Sequence, residues 1–218
     1  MLARDFQATL ILEKMRRSSA RDAIRNVQEE VHRYTTEVAE DLSINQQRIK
    51  EAKFMAMANA AKVGATTFTT PSDREIAATR VFNAPRKLIW DAHTKPEHVA
   101  RWMLGPEGWT MPVCEIDLRP GKGWHFVWRK PDGAEMEMTG VYKTLAPPER
   151  LVSTESWGAD WPETLNTVIL TEENGKTTMV NTVLYPSKGA RENALGTGMK
   201  EGWSQSYDRL EEYLRAIG

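Results

Sequence analysis

Proline and glycine, the two residues that most restrict where a regular element can run, are absent from the first 63 residues; all eleven prolines and all fourteen glycines lie at or after Gly64. A chain divided this way cannot fold as one uniform architecture. Before the boundary only helix-compatible residues occur. From Ile24 the apolar positions Ile24, Val27, Val31, Tyr34 and Val38 follow a heptad, which shifts by four to Leu42 and continues through Ile49, Ala52 and Ala56. Residues 1–63 are therefore expected to form a helical extension, with Ser18-Ser19 as a break or N-cap. A stripe of this kind is not buried by one helix alone, so it predicts a homodimer through this helix or packing on the downstream domain. The competing reading is a leader upstream of a start at Met55 or Met57. The run from Gly64 to Asp73, rich in Thr, Pro and Ser, reads as a linker.

Beyond it the period changes. Glu75–Phe82 reads as a strand. Pro85 opens a helix through Trp90, and Pro96 opens another through Trp102. Six strands follow: Val113–Arg119, Trp124–Arg129, Glu135–Tyr142, Arg150–Trp157, Thr164–Glu172 and Thr177–Leu184. They are separated by turn-forming stretches, of which Asn174-Gly175 is the strongest hairpin signal. The chain closes on GMKEGWSQSYDRLEEYL. There Leu195, Met199, Trp203, Tyr207, Leu210, Leu214 and Ile217 recur at three and four, one stripe on a long helix. Gly198 and Gly202 in that helix predict a bend or a close approach to a surface. The order predicts an α+β domain over residues 74–218, a curved antiparallel sheet gripping the last helix.

Alternation places Trp124, Phe126 and Trp128 on one face of their strand and His125 on the other. Met136 and Met138 alternate with Glu135 and Glu137, an apolar-in, polar-out pattern. Asn166 falls with Val168 on one strand and Asn181 with Met179 on the next. Polar groups on apolar faces need partners within the fold or from a ligand. Together with Met199, Trp203 and Tyr207 on the helix, these residues are expected to line a pocket for a small hydrophobic ligand, with Asn166 or Asn181 as polar anchors.

Other chemistries find no foothold. The near balance of 29 basic and 30 acidic residues argues against nucleic acid or a membrane surface as partner. One cysteine, Cys114, excludes an intramolecular disulfide, and the four histidines lack metal spacing, so no metal or cofactor is expected. No apolar run reaches membrane-span length and Leu10–Leu12 is too short for a signal-peptide core, which predicts a cytoplasmic protein. Cyclase-type catalysis would need only an acid or base in an apolar pocket. His125, Glu115, Asp117 and Glu155 are the residues to weigh; all read more simply as surface or strand-end groups, and no catalytic residue is assigned.

Four blocks carry a resemblance in order and spacing: REIAATRVFNAPRKLIWDAHTKPEHVARWMLGPEGW, MPVCEIDLRPGKGWHFVW, DGAEMEMTGVYKTLAPPERLVSTESW and the closing helix. Over about residues 74–216 the chain resembles the activator-of-heat-shock-protein-90-ATPase-like branch of the START and birch-pollen-allergen (SRPBCC) superfamily. The resemblance implies a helix-grip fold, with a seven-stranded antiparallel sheet wrapped round a long C-terminal helix and a cavity between them. It also implies hydrophobic small-molecule binding as the common theme, with polyketide cyclases and aromatases among the relatives. The extension before residue 64 does not resemble the chaperone-binding domain of the true activators, which speaks against a chaperone interaction.

Overall fold

The computed structural model of the chain describes residues 64–218, together with Arg25 and Gln28. Those two are helical and exposed. The rest of the predicted extension, including its heptad stripe, the Ser18-Ser19 break and the dimer element, lies outside the described residues.

Eight strands form one antiparallel sheet: β1 (Thr67–Thr69), β2 (Glu75–Phe82), β3 (Thr110–Ile116), β4 (Gly123–Arg129), β5 (Glu135–Ala146), β6 (Arg150–Glu155), β7 (Thr164–Glu173) and β8 (Lys176–Leu184), in the order β1-β2-β8-β7-β6-β5-β4-β3. β3 to β8 meander, and β2 returns to pair with β8, so the first and last long strands lie side by side. Four helices complete the domain: α1 (Arg86–Thr94), α2 (Pro96–Trp102), α3 (Lys188–Leu195) and α4 (Met199–Ile217). The α+β helix-grip architecture is thus as expected. The sheet has one strand more than the resemblance implied, because Thr67–Thr69, inside the segment read as linker, pairs with Thr79, Ala78 and Ala77 of β2.

Register defines which side chains share the concave face, since residues directly opposite each other point the same way. Across β2, β8, β7 and β6 that face carries Ala78 and Arg80, Met179 and Asn181, Asn166 and Val168, then Leu151 and Ser153. Trp124, Phe126 and Trp128 stand opposite Gly140, Met138 and Met136 and continue it. Helix α4 lies on this face: Tyr207 meets Phe82 edge-on at 6.0 Å between ring centroids, and Arg80 pairs with Asp208 and Glu211. Helices α1 and α2 brace α4 from beyond, through Trp102 Nε1 donating to Ala92 O at 2.9 Å and Arg209 Nε donating to Trp102 O at 3.1 Å.

The closing helix departs from its expected form in two ways. Leu195 belongs to a separate helix, because Gly198 adopts a left-handed conformation (φ 76°) that ends the run and opens α4. Apolar spacing continues through this break, which is why it reads as one stripe. Ile217, at the far end of the stripe, is exposed. Gly202 makes no close approach either: a methyl group there would meet open space.

Candidate functional site

An aromatic wall forms on β4. Trp124 and Phe126 stack at 4.8 Å, Phe126 meets Trp128 edge-on at 6.1 Å, and all three are buried with Met138, while Met136 is partly buried beside them. Trp128 anchors the wall by donating from Nε1 to Met103 O at 2.6 Å. At its outer end Trp157, from the loop after β6, lies flat on Trp128, with centroids 5.6 Å apart and planes 12° apart. Trp157 and Trp161 of this loop are exposed, so the wall leads from the interior to the surface.

A polar island interrupts the apolar interior. Glu155 stands at the end of β6 opposite Thr164, and Ser153 stands opposite Asn166, so Glu155, Thr164 and Asn166 share the concave face. Glu155 accepts from Trp157 Nε1 at 2.6 Å and from Asn166 Nδ2 at 2.8 Å. Although the residue keeps some solvent contact, burial of its carboxyl raises the pKa above the usual carboxylate value, against the pull of these two donors. Around it the buried Thr164 Oγ1 and Asn166 Oδ1 have no hydrogen-bond partner, whereas the Tyr207 hydroxyl, though it meets no partner in good hydrogen-bond geometry, lies within reach of the Asn181 and Trp203 side chains. Polar atoms buried unmatched are costly, on the order of 1–3 kcal/mol each. Burial pushes the Tyr207 phenol up to about 12, Trp203, Asn181 and Arg80 pulling the other way and the Glu155 charge adding to the rise. Glu155 is felt at Tyr185 too, where burial is again the larger cause of a pKa near 12.

The residues expected to line a pocket are thus distributed over three places. Trp124, Phe126, Trp128, Met136 and Met138 make the wall; Asn166, Asn181 and Tyr207 belong to the polar island, with Val168 partly buried opposite Asn181. Trp203 packs edge-on against Phe68 at 5.7 Å and Tyr207 at 6.0 Å, spanning the main core and a smaller cluster around Ile76, Val183 and Tyr185. Met199 packs in that smaller cluster, its sulfur 3.7 Å from the Tyr185 hydroxyl, and not beside the β4 wall. Sequence alternation does not place Glu155 and Thr164 in the interior. In LVSTES, Leu151 and Val152 are consecutive apolar residues, so the pattern leaves open which set faces inward.

The other residues weighed for acid–base chemistry lie elsewhere. His125 is on the convex face with Nε2 2.8 Å from Glu137 Oε1 and Nδ1 3.8 Å from Glu115 Oε2. Asp117 is bound to Arg119 in a turn. Cys114 faces inward opposite Phe126, and burial pushes its thiol up to about 11, which removes it as a nucleophile at neutral pH. Among the described residues no group of three or more His, Cys, Asp or Glu is placed to hold a metal ion, and no helix is long and apolar enough to cross a membrane. A cleft of about 560 Å³ opens between α1 and the end of α4, lined by Pro85, Lys87, Leu88, Asp91, Leu214 and Arg215 among others. It shares no residue with the polar island.

Comparison with known proteins bears on the fold that carries this site. The family model described as Activator of Hsp90 ATPase homolog 1-like protein matches residues 83–215. A crystal structure of a Rhodobacter sphaeroides protein is similar at 27% identity and a TM-score of 0.66, covering 71% of this chain and 100% of its own. A Nitrosomonas europaea protein is similar at 24% identity and 0.61, over 68% of this chain and 98% of its own. The solution structure of an AHSA1-like protein from Aeromonas hydrophila shares the fold at 21% identity and 0.53, over 65% of this chain and 94% of its own. No curated protein matches.

Proposed function

Because the chain belongs to the Activator of Hsp90 ATPase homolog 1-like family of the SRPBCC superfamily, we propose that it binds a small hydrophobic or amphipathic molecule between the concave face of the sheet and α4. The observation that carries this reading is the pair of unpartnered polar atoms Thr164 Oγ1 and Asn166 Oδ1, buried on the concave face beside the Glu155 carboxyl. A core evolved only for packing would replace them with apolar groups at little cost. An amphipathic ligand would satisfy them with its polar end and lay its apolar body on the Trp124–Phe126–Trp128 wall. Entry would run past Trp157, which is stacked on Trp128 and carries the wall to the surface.

Native mass spectrometry of the full-length protein tests the reading directly. A small molecule retained at one per chain is expected, and the intact mass also reads whether the heptad segment pairs two chains, as we propose for it. Fluorescence titration with N-phenylnaphthylamine gives a second readout. Trp203→Ala removes a ring that bridges both apolar clusters and is expected to weaken this probe at least tenfold. Because Trp203 is only partly buried, the stability loss should stay near 2 kcal/mol, below the range for fully buried tryptophans. Unchanged probe affinity in that variant would remove α4 from the binding surface.

Catalysis of the cyclase or aromatase kind is a second reading, favoured by one observation: Glu155 is an interior acid with an elevated pKa. Such a group holds its proton closer to neutrality and serves as a general acid or base toward a bound ligand. Its signature is a carboxyl resonance titrating above the ordinary glutamate value in the ligand-free protein. Titration of Glu155 at or below that value would leave binding as the sole activity.

A further inference from the structure

We infer that the polar island around Glu155 is a headgroup site for a primary amine, so that the ligand is a cationic amphiphile with an aromatic or aliphatic body. This deepens the binding reading and rests on it. The island holds more hydrogen-bond acceptors than donors. Glu155 takes both of its hydrogen bonds from neutral donors, the Trp157 indole and the Asn166 amide, so its charge is met by no cation among those partners. Arg80, whose charge is felt at Tyr207, commits Nη1 and Nη2 to Asp208 and Glu211 at 2.6 and 2.5 Å, and its buried Nε, an unmatched donor, makes no bond to Glu155. The two atoms left without a partner beside Glu155 both accept: Asn166 Oδ1 does so only, and Thr164 Oγ1 can do so as well as donate.

An ammonium group meets this demand better than the alternatives. It brings three N–H donors and the missing positive charge, whereas a hydroxyl brings one donor and no charge. A carboxylate or phosphate would bring acceptors to acceptors and a like charge to Glu155. The Asn166 amide cannot resolve the mismatch alone: turned over, it would bring its carbonyl oxygen against the Glu155 carboxylate.

Three probes with a common body separate the alternatives: naphthylethylamine, naphthylethanol and naphthylacetate, titrated calorimetrically into the full-length protein at neutral pH. The amine is expected to bind at least about tenfold more tightly than the alcohol, the scale of a charge-assisted hydrogen bond over a neutral one, and the carboxylate more weakly than either. Glu155→Gln should reduce the amine-to-alcohol ratio below about threefold by the same reasoning. If the alcohol or the carboxylate equals the amine in the unmodified protein, the headgroup assignment is overturned while interior binding stands. If none of the three binds, the interior site itself is overturned. The comparison on the unmodified protein decides the question even where Glu155→Gln does not fold.

Discussion

Arg80→Met is expected to lower the unfolding free energy by about 3 kcal/mol, at the lower end of the 3–5 kcal/mol for breaking a buried pair. Arg80 is 2% exposed and Glu211 8%, and their contact at 2.5 Å is the deepest ion pair under α4. Removing the guanidinium leaves the Glu211 carboxylate with Arg215 alone, at 2.6 Å but on an exposed side chain, which is why the loss falls at the lower end. It also removes the cation over the Phe82 ring and the bonds to Asp208 and to Thr66 Oγ1, which tie β2 to α4 and to the segment before β1. Replacing both partners, Arg80→Met with Glu211→Leu, should recover most of the loss, because no charge is then left stranded. The pH dependence gives an independent check. Burial alone would raise the Glu211 pKa, but Arg80 and then Arg215 hold it below the ordinary value. A depressed carboxylate contributes stability that is present above its unfolded value near 4.5 and is lost as pH falls through its folded value. The gap between the protein and Arg80→Met, read from urea midpoints, should therefore be widest at neutral pH and narrow below about 4.5, where Glu211 protonates in the unfolded chain and in the variant. A gap that stays constant down to pH about 3 would mean that packing, not charge, sets the loss.

Arg80 also shows where the sequence could and could not be read. In EIAATRVF a lone arginine in a strand suggests solvent, and its actual partners lie 128 and 131 residues later. Nothing local announces them. The strands themselves were legible because they alternate and are punctuated by glycine, proline and Asn174-Gly175. Five of the seven expected strands begin and end within two residues of their expected positions, while β3 is shifted by three and β5 runs on to Ala146. Faces were legible where the alternation was strict, as in Glu135–Met138. Glu155 was not, because apolar residues occupy both phases of β6, and which phase faces inward is decided by pairing with β7. Strand β1 has only three residues in a threonine-rich run, too few for any period to register. The split between α3 and α4 was hidden for the opposite reason: the apolar period survives while the backbone at Gly198 does not continue.

Gly140→Ala is the second large effect expected, and its sign runs against residue preference. In a strand, alanine ordinarily improves on glycine by about 0.5–1 kcal/mol, because glycine loses more conformational freedom on folding. Here a methyl group would stand 2.2 Å from the Thr154 carbonyl oxygen and 2.4 Å from Cε2 and Cζ2 of Trp124. The Trp124 indole lies across this position because Trp124 and Gly140 are directly paired between β4 and β5. Neither neighbour can yield cheaply: Trp124 is stacked on Phe126, and the Thr154 backbone is fixed in β6 while its Oγ1 accepts from Val141 N at 3.2 Å. The pairs Tyr142 with Ser153 and Thr139 with Ser156 bracket the spot and place Gly140 opposite Glu155, so the strain would enter at the polar island. A loss of about 3 kcal/mol, the upper range for overpacking, is expected in urea denaturation, with a change in the near-ultraviolet circular dichroism of the tryptophans. Gly202→Ala supplies the contrast. Its methyl group meets open space in a regular part of α4, so the same change should stabilise by about 0.5–1 kcal/mol on helix preference alone. If Gly140→Ala were neutral or stabilising, β4 and β5 would have to sit farther apart than this structure places them, and the aromatic wall would lose the surface that holds Trp124 in line.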